Sequence, residues 1–148
     1  MEAEGVSFEG STLIDWPAFA QARAELGAGF VRILGYFQED GIKSVAAIEA
    51  AMRSGNAAAL VIPAHTLKGE SRQFGAEPLA MAAETIETIA RQCVETRDTP
   101  DAALPHVVGL RKLFDDTMAL LQREANPLVE RRPAGAFGRR PLSGFGQG

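Results

Sequence analysis

The sequence predicts an all-α fold: an antiparallel up-and-down four-helix bundle with a short N-terminal capping helix. Three observations predict it. Apolar residues recur at intervals of three and four along four long segments, the mark of helices that bury one face. No segment alternates apolar and polar residues over a useful length, so no sheet is expected. The composition is 46% hydrophobic but only 7% aromatic, which leaves Ala and Leu to do most of the filling, and 148 residues suffice for one buried core.

The elements follow in chain order. Residues 1–12 are small and polar and are expected to form a flexible N-terminus, with the bundle domain spanning 13–125. Asp15-Trp16-Pro17 reads as a helix start, an acidic cap with proline in the first turn, and this short helix should stop near Leu26 at Gly27-Ala28-Gly29. A long second helix carries Phe30, Ile33, Leu34, Phe37, Val45, Ile48 and Met52 on one face. Gly41 interrupts it at a cost of about 1 kcal/mol relative to alanine. Gly55 ends it and Asn56 caps the next. The third helix runs from Ala57 to about Phe74 with Leu60, Ala64, Leu67, Ser71 and Phe74 in step, and Gly75 closes it. Glu77-Pro78 opens a fourth, with Leu79, Ala82, Ala83, Ile86, Ile89 and Cys93 expected inward. After Thr99-Pro100-Asp101 a fifth helix carries Leu104, Val107, Val108, Phe114, Met118 and Leu121. Residues 126–148, rich in Gly, Pro and Arg, cannot bury enough apolar surface to offset chain entropy and are expected to be a disordered tail.

Charge narrows the class of partner. The net charge of −4 conceals four arginines and no acid from Arg131 onward, against 11 bases and 19 acids in residues 1–130. An acidic body argues against nucleic acid, whose phosphates require a basic face. The acidic N-terminus has no apolar run behind it and no stretch reaches the roughly 20 residues that span a bilayer, so a cytoplasmic protein without membrane contact is expected. The lone Cys93 excludes an internal disulfide and reads as a core filler. His65, His106 and Cys93 have no zinc-ligand spacing, so no metal site is expected, and His106 reads as a surface or capping residue.

The candidate site lies on the third helix. At about 100° per residue, Ala64, Leu67, Ser71 and Phe74 cluster opposite His65, whereas Lys68, Gly69 and Arg72 fall near its azimuth. The exposed strip is thus His65, Lys68, Gly69 and Arg72, flanked by Thr66 and Gln73. A glycine in mid-helix costs stability, and close approach by another molecule is a reason to keep one. His65 lies ten residues before Gly75 and Glu87 twelve after it, so in an antiparallel hairpin rising about 1.5 Å per residue the two share one height. A carboxylate there, at the edge of the fourth helix's core stripe, would take a hydrogen bond from one ring nitrogen, fix the tautomer and leave the other nitrogen as a nucleophile in solvent. Lys68 would offset negative charge on a group carried by the ring.

The run His65-x-Leu67-Lys68-Gly69-x-Ser71-x-x-Phe74-Gly75-Ala76-x-x-Leu79, ending in Ile86-Glu87, resembles the histidine-containing phosphotransfer (HPt) domains of bacterial multistep phosphorelays, and is similar to the phosphotransfer domain of chemotaxis histidine kinases. The resemblance implies that His65 is phosphorylated and exchanges its phosphoryl group with an aspartate of response-regulator receiver domains, supplied by a hybrid histidine kinase. It also implies that Lys68 sits beside the phosphate, that Gly69 permits docking and that Glu87 partners the imidazole. Thr66, Gly69, Arg72 and Gln73 are then the partner-binding residues. Three positions depart from the pattern: Glu70 stands where a small residue is usual, Arg72 charges the docking strip, and Pro63 should bend or restart the helix.

Phosphoryl transfer requires mainly positioning and charge stabilisation. Gly27-Ala28-Gly29 lacks the Gly-Lys-Ser/Thr of a phosphate loop, so a phosphocarrier is expected rather than a kinase. No cofactor is expected on this chain, with Mg²⁺ belonging to the receiver, and a monomer is expected. The alternative is a helical adaptor that binds a signalling partner without phosphotransfer, a role that requires neither Gly69 nor Glu87.

Overall fold

The computed structural model describes residues 13–125; the expected flexible N-terminus (1–12) and basic tail (126–148) lie outside the described residues. Among the described residues there is no strand. A short helix α1 (Trp16–Leu26) leads through a 3₁₀ turn (Gly27–Gly29) into α2 (Phe30–Arg53). Next come α3 (Ala57–Gln73) and α4 (Glu77–Thr96). A second 3₁₀ turn (Asp101–Ala103), the five-residue α5 (Leu104–Val108) and α6 (Leu110–Ala125) complete the chain. The four long helices α2, α3, α4 and α6 pack as an up-and-down bundle, each against its chain neighbour and α6 back against α2. Cross-links at both ends of the α2–α6 pair confirm the antiparallel sense: Arg111 grips Glu49 through Nε (3.0 Å) and Nη2 (2.6 Å), and Gln122 Nε2 donates to Gln38 Oε1 at 2.7 Å.

Most boundaries sit where the local chemistry predicts. Asp15 Oδ1 accepts from the Ala18 N–H at 3.1 Å, and Asn56 Oδ1 from the Ala59 N–H at 3.1 Å, each satisfying a donor that the first helical turn leaves open. Gly55 and Gly75 close α2 and α3 at φ +65° and +77°, where a side chain is strained.

The few aromatic rings form one continuous file. Trp16, Phe19, Phe30, Phe74, Phe37 and Phe114 touch in sequence, edge to face except where Phe37 and Phe74 stack at 5.4 Å. Such pairs add about 0.5–1.5 kcal/mol each beyond burial. The file bolts α1 onto the end of the bundle. There the Asp15 N–H donates to the Gly75 carbonyl at 2.7 Å, and Arg23 Nη1 donates to the Glu124 carbonyl at 2.9 Å near the C-terminal end of α6. A Cβ on Gly75 would lie 2.7 Å from the Asp15 oxygen, so the turn admits only glycine on grounds of space as well as backbone angle.

Several expectations are corrected. The fifth helix is not continuous: Gly109 breaks it, and the phase slip turns Leu104 and Val108 outward, the latter to 75% exposure, while Val107, Leu110, Phe114 and Leu121 pack inward. On α4 the buried stripe is Leu79, Ala80, Ala83, Ile86, Glu87 and Ala90, so Ala82, Ile89 and Cys93 are only partly buried. Gly41 is more than a tolerated interruption, because a Cβ there would collide with the Phe114 ring; it sets the close approach of α2 and α6. Pro63 does not restart α3, which runs through it unbroken. An interior proline costs a helix about 3 kcal/mol, and burial of Leu60, Ala64 and Leu67 on the core side offsets it here.

Candidate functional site

The hairpin of α3 and α4 sets the register of the site. His65 on α3 faces Glu87 on α4, and His65 Nδ1 lies 2.9 Å from Glu87 Oε2. The imidazole side chain is 60% exposed and the carboxylate only 6%. Glu87 is therefore part of the buried face of α4 rather than its edge, a correction with a chemical consequence. Burial would raise its pKa, but the contacts of Lys68, Arg91 and His65 outweigh burial and pull it down to about 2. A carboxylate that stays ionised is an acceptor only, so Nδ1 carries the proton and donates. Nε2 is left with its lone pair, on the part of the ring that stands in solvent.

Two cations share that carboxylate. Lys68 Nζ lies 2.9 Å from Oε1 without hydrogen-bond alignment, so it is an ionic contact. Arg91 donates from Nε to Oε2 at 2.9 Å and brings Nη2 to 2.8 Å from it as an ionic contact. Arg91 is four residues after Glu87, the spacing and order that favour an ion pair on a helix. The sequence reading missed it, although an acid followed four residues later by a base is a visible signal. Lys68 is 21% exposed and leans into the α3–α4 seam, so it is not on the open strip where its azimuth alone placed it.

The remaining predicted residues divide. Gly69, Thr66 and Gln73 are exposed on the outer face of α3, and nothing lies within 4 Å of a Cβ built on Gly69. No packing demand inside the bundle explains that glycine. Arg72 is exposed but engaged: Nη2 donates to Glu84 Oε1 at 2.9 Å, and Nε lies 3.8 Å from Glu77 Oε1. His106 is exposed on α5, away from the imidazole, and lines a separate groove with Pro105, Leu110 and Leu113. Cys93 Sγ meets the Thr99 carbonyl at 3.6 Å.

One apolar feature was not anticipated. A groove of about 450 Å³ opens between α3 and α4, lined by Ala58, Val61, Ile62, Arg91, Val94 and Glu95. Ile62, three residues before His65, is 73% exposed, and Val94 stands out beside it. At about 100° per residue Ile62 shares the outward azimuth of Gly69, so the helical wheel could have found it. The strip around the imidazole thus has an apolar end at Ile62 and Val94 and a polar end at Arg72 and Glu84.

An imidazole on the exposed face of a helix, held from behind by a buried carboxylate, is an arrangement that leaves one ring nitrogen open to another molecule. Residues 32–124 match the family described as Hpt domain. The chain belongs to that family and is a histidine phosphocarrier of a phosphorelay. Its fold is similar to the crystal structure of histidine-containing phosphotransfer protein B (HptB) from Pseudomonas aeruginosa PAO1, with a TM-score of 0.66 and 25% identity over 76% of this chain and 93% of that one. No curated protein sequence matches the chain. None of the helices described is long and apolar enough to cross a membrane.

Proposed function

We propose that His65 is the phosphorylated residue and that Nε2 exchanges a phosphoryl group with the aspartate of a response-regulator receiver domain. The observation that carries this reading is the Nδ1–Glu87 hydrogen bond, which leaves Nε2 as the free nucleophile. In the step, the Nε2 lone pair forms the N–P bond, the P–O bond of the aspartyl phosphate breaks, and its electron pair returns to the aspartate carboxylate. No proton moves, because Nδ1 already holds one. The ring becomes a cation beside Glu87, which stabilises it, and the reverse step releases a neutral imidazole. Lys68 offsets the charge of the phosphoryl group, and Mg²⁺ is supplied by the receiver.

The receiver docks on the outer face of α3, over Thr66, Gly69, Arg72 and Gln73, with its apolar contacts at Ile62 and Val94. The upstream donor is a hybrid histidine kinase relay, and the carrier works as a cytoplasmic monomer with no kinase activity of its own. The acid-lability of phosphohistidine supplies the test. Incubation with a phosphorylated receiver is expected to give an acid-labile, alkali-stable label on the wild type that is absent from His65→Gln. Failure of the wild type to take label from any active relay overturns the proposal, and leaves the adaptor reading.

A further inference from the structure

Glu87 is held by two cations that differ in origin, geometry and stiffness. Arg91 donates from Nε to Oε2, the same oxygen that receives the His65 Nδ1 proton, and brings Nη2 to 2.8 Å from it as an ionic contact. Its anchor is α4 itself, one turn from Glu87. Lys68 comes from α3, one turn from the imidazole, and touches the other oxygen without hydrogen-bond alignment. A guanidinium fork is rigid and directional, whereas an ammonium on a flexible stem is a point charge that reorients readily.

Charge counting separates the two roles. Before transfer the cluster holds one carboxylate and two cations around the ring, and the form of the ring that can attack phosphorus is the neutral one. Phosphorylation adds two negative charges at Nε2 and one positive charge on the ring. A cation must then turn towards the phosphoryl group, but if both left, Glu87 would keep only the single charge of the ring, which the phosphoryl group also draws on, and a buried carboxylate so weakly paired is costly. One cation has to stay. We propose that Arg91 is the positioning residue of this site: it fixes Glu87, and through it the His65 tautomer, so that Lys68 is free to swing from Glu87 to the phosphoryl group. The proposal rests on the reading that His65 carries that group.

The test uses the full chain labelled with ¹⁵N-histidine. With only two histidines in the sequence, the ring nitrogens of His65 are readily assigned. In the wild type the Nδ1–H tautomer of His65 is expected to dominate. Arg91→Gln is expected to convert it to a mixture and to slow phosphoryl uptake from a phosphorylated receiver by about tenfold, as loss of a charge-assisted hydrogen bond implies. Arg91→Lys, which restores charge without the fork, should fall between the two. Lys68→Gln is expected to slow uptake while leaving the tautomer as in the wild type.

Three results would overturn the proposal: an Arg91→Gln protein with wild-type tautomer and rate, one that is slow with an unchanged tautomer, or a Lys68→Gln protein whose tautomer shifts as far as that of Arg91→Gln. The tautomer is read without phosphate, so its behaviour stands apart from whether His65 is phosphorylated. A wild type that never takes label sinks the carrier assignment instead. Helicity by circular dichroism confirms that each variant is folded.

Discussion

Gly69 is the position at which stability and the proposed docking pull in opposite directions. A mid-helix glycine costs about 0.5–1 kcal/mol relative to alanine, and here no neighbour inside the bundle requires it. Gly69→Ala is therefore expected to raise the unfolding free energy by about that amount while slowing transfer from a receiver. Uptake from a small phosphoramidate, which needs no docking face, should be unaffected; equal rates from the receiver would remove Gly69 from the contact surface. The exposure of His65 and Gly69 and the shared height of His65 and Glu87 were legible from spacing, because rotation per residue and the position of Gly75 fix them, whereas the burial of Glu87 was not. Nor was the lean of Lys68. A wheel treats a side chain as a direction, whereas a lysine stem reaches several ångströms along the surface to the nearest carboxylate.

Among elements, α4 does the most for the site, since it supplies both Glu87 and Arg91 and fixes their spacing. Its C-terminal end is closed by Arg97 at φ +60°, ψ +38°, the left-handed region in which a side chain costs about 1–2 kcal/mol. Arg97→Gly relieves that strain, partly offset by the greater freedom of glycine in the unfolded chain. The thermal midpoint is expected to rise by about 2 °C, with phosphotransfer unchanged. Starts and stops governed by one residue, such as Asp15, Asn56, Gly55 and Gly75, could be read from the sequence because cap chemistry is local. The break at Gly109 could not. Gly41 and Gly69 also sit inside apolar patterns, and their helices run on, so a glycine by itself does not mark a break.

For the molecule as a whole, acidity is built into one interhelical contact. Glu70 on α3 is half-buried beside Asp40 on α2, and burial first, then the neighbouring Asp40, pushes its carboxyl up to about 8 from an ordinary value of 4.5. A carboxyl raised in the folded state contributes stability that is complete below its unfolded pKa and is lost as pH rises through the folded value. The urea midpoint is accordingly expected to fall between about pH 5 and pH 8, and Glu70→Gln should flatten that slope and exceed the wild type at the alkaline end. A Glu70→Gln protein with the same pH slope would show that another group sets it. The bundle itself was legible because periodicity repeats over many residues and errors average out. Glu70 registered only as an unusual residue in its place, since Asp40 lies thirty positions away and only the α2–α3 packing brings the two acids together.

The clasp between Asp15 and Gly75 makes the site far more sensitive to length than to composition. His65 and Glu87 meet only because a fixed number of residues separates them, and α1 pins the turn that counts those residues. One residue added or removed there would advance α4 by about 1.5 Å and swing it by about 100°, carrying Glu87 from the imidazole while both helices stayed intact. Substitutions over most of the exposed surface leave that spacing untouched. The hairpin works as a vernier, and its zero is set at the Gly75 turn, where Asp15 holds it.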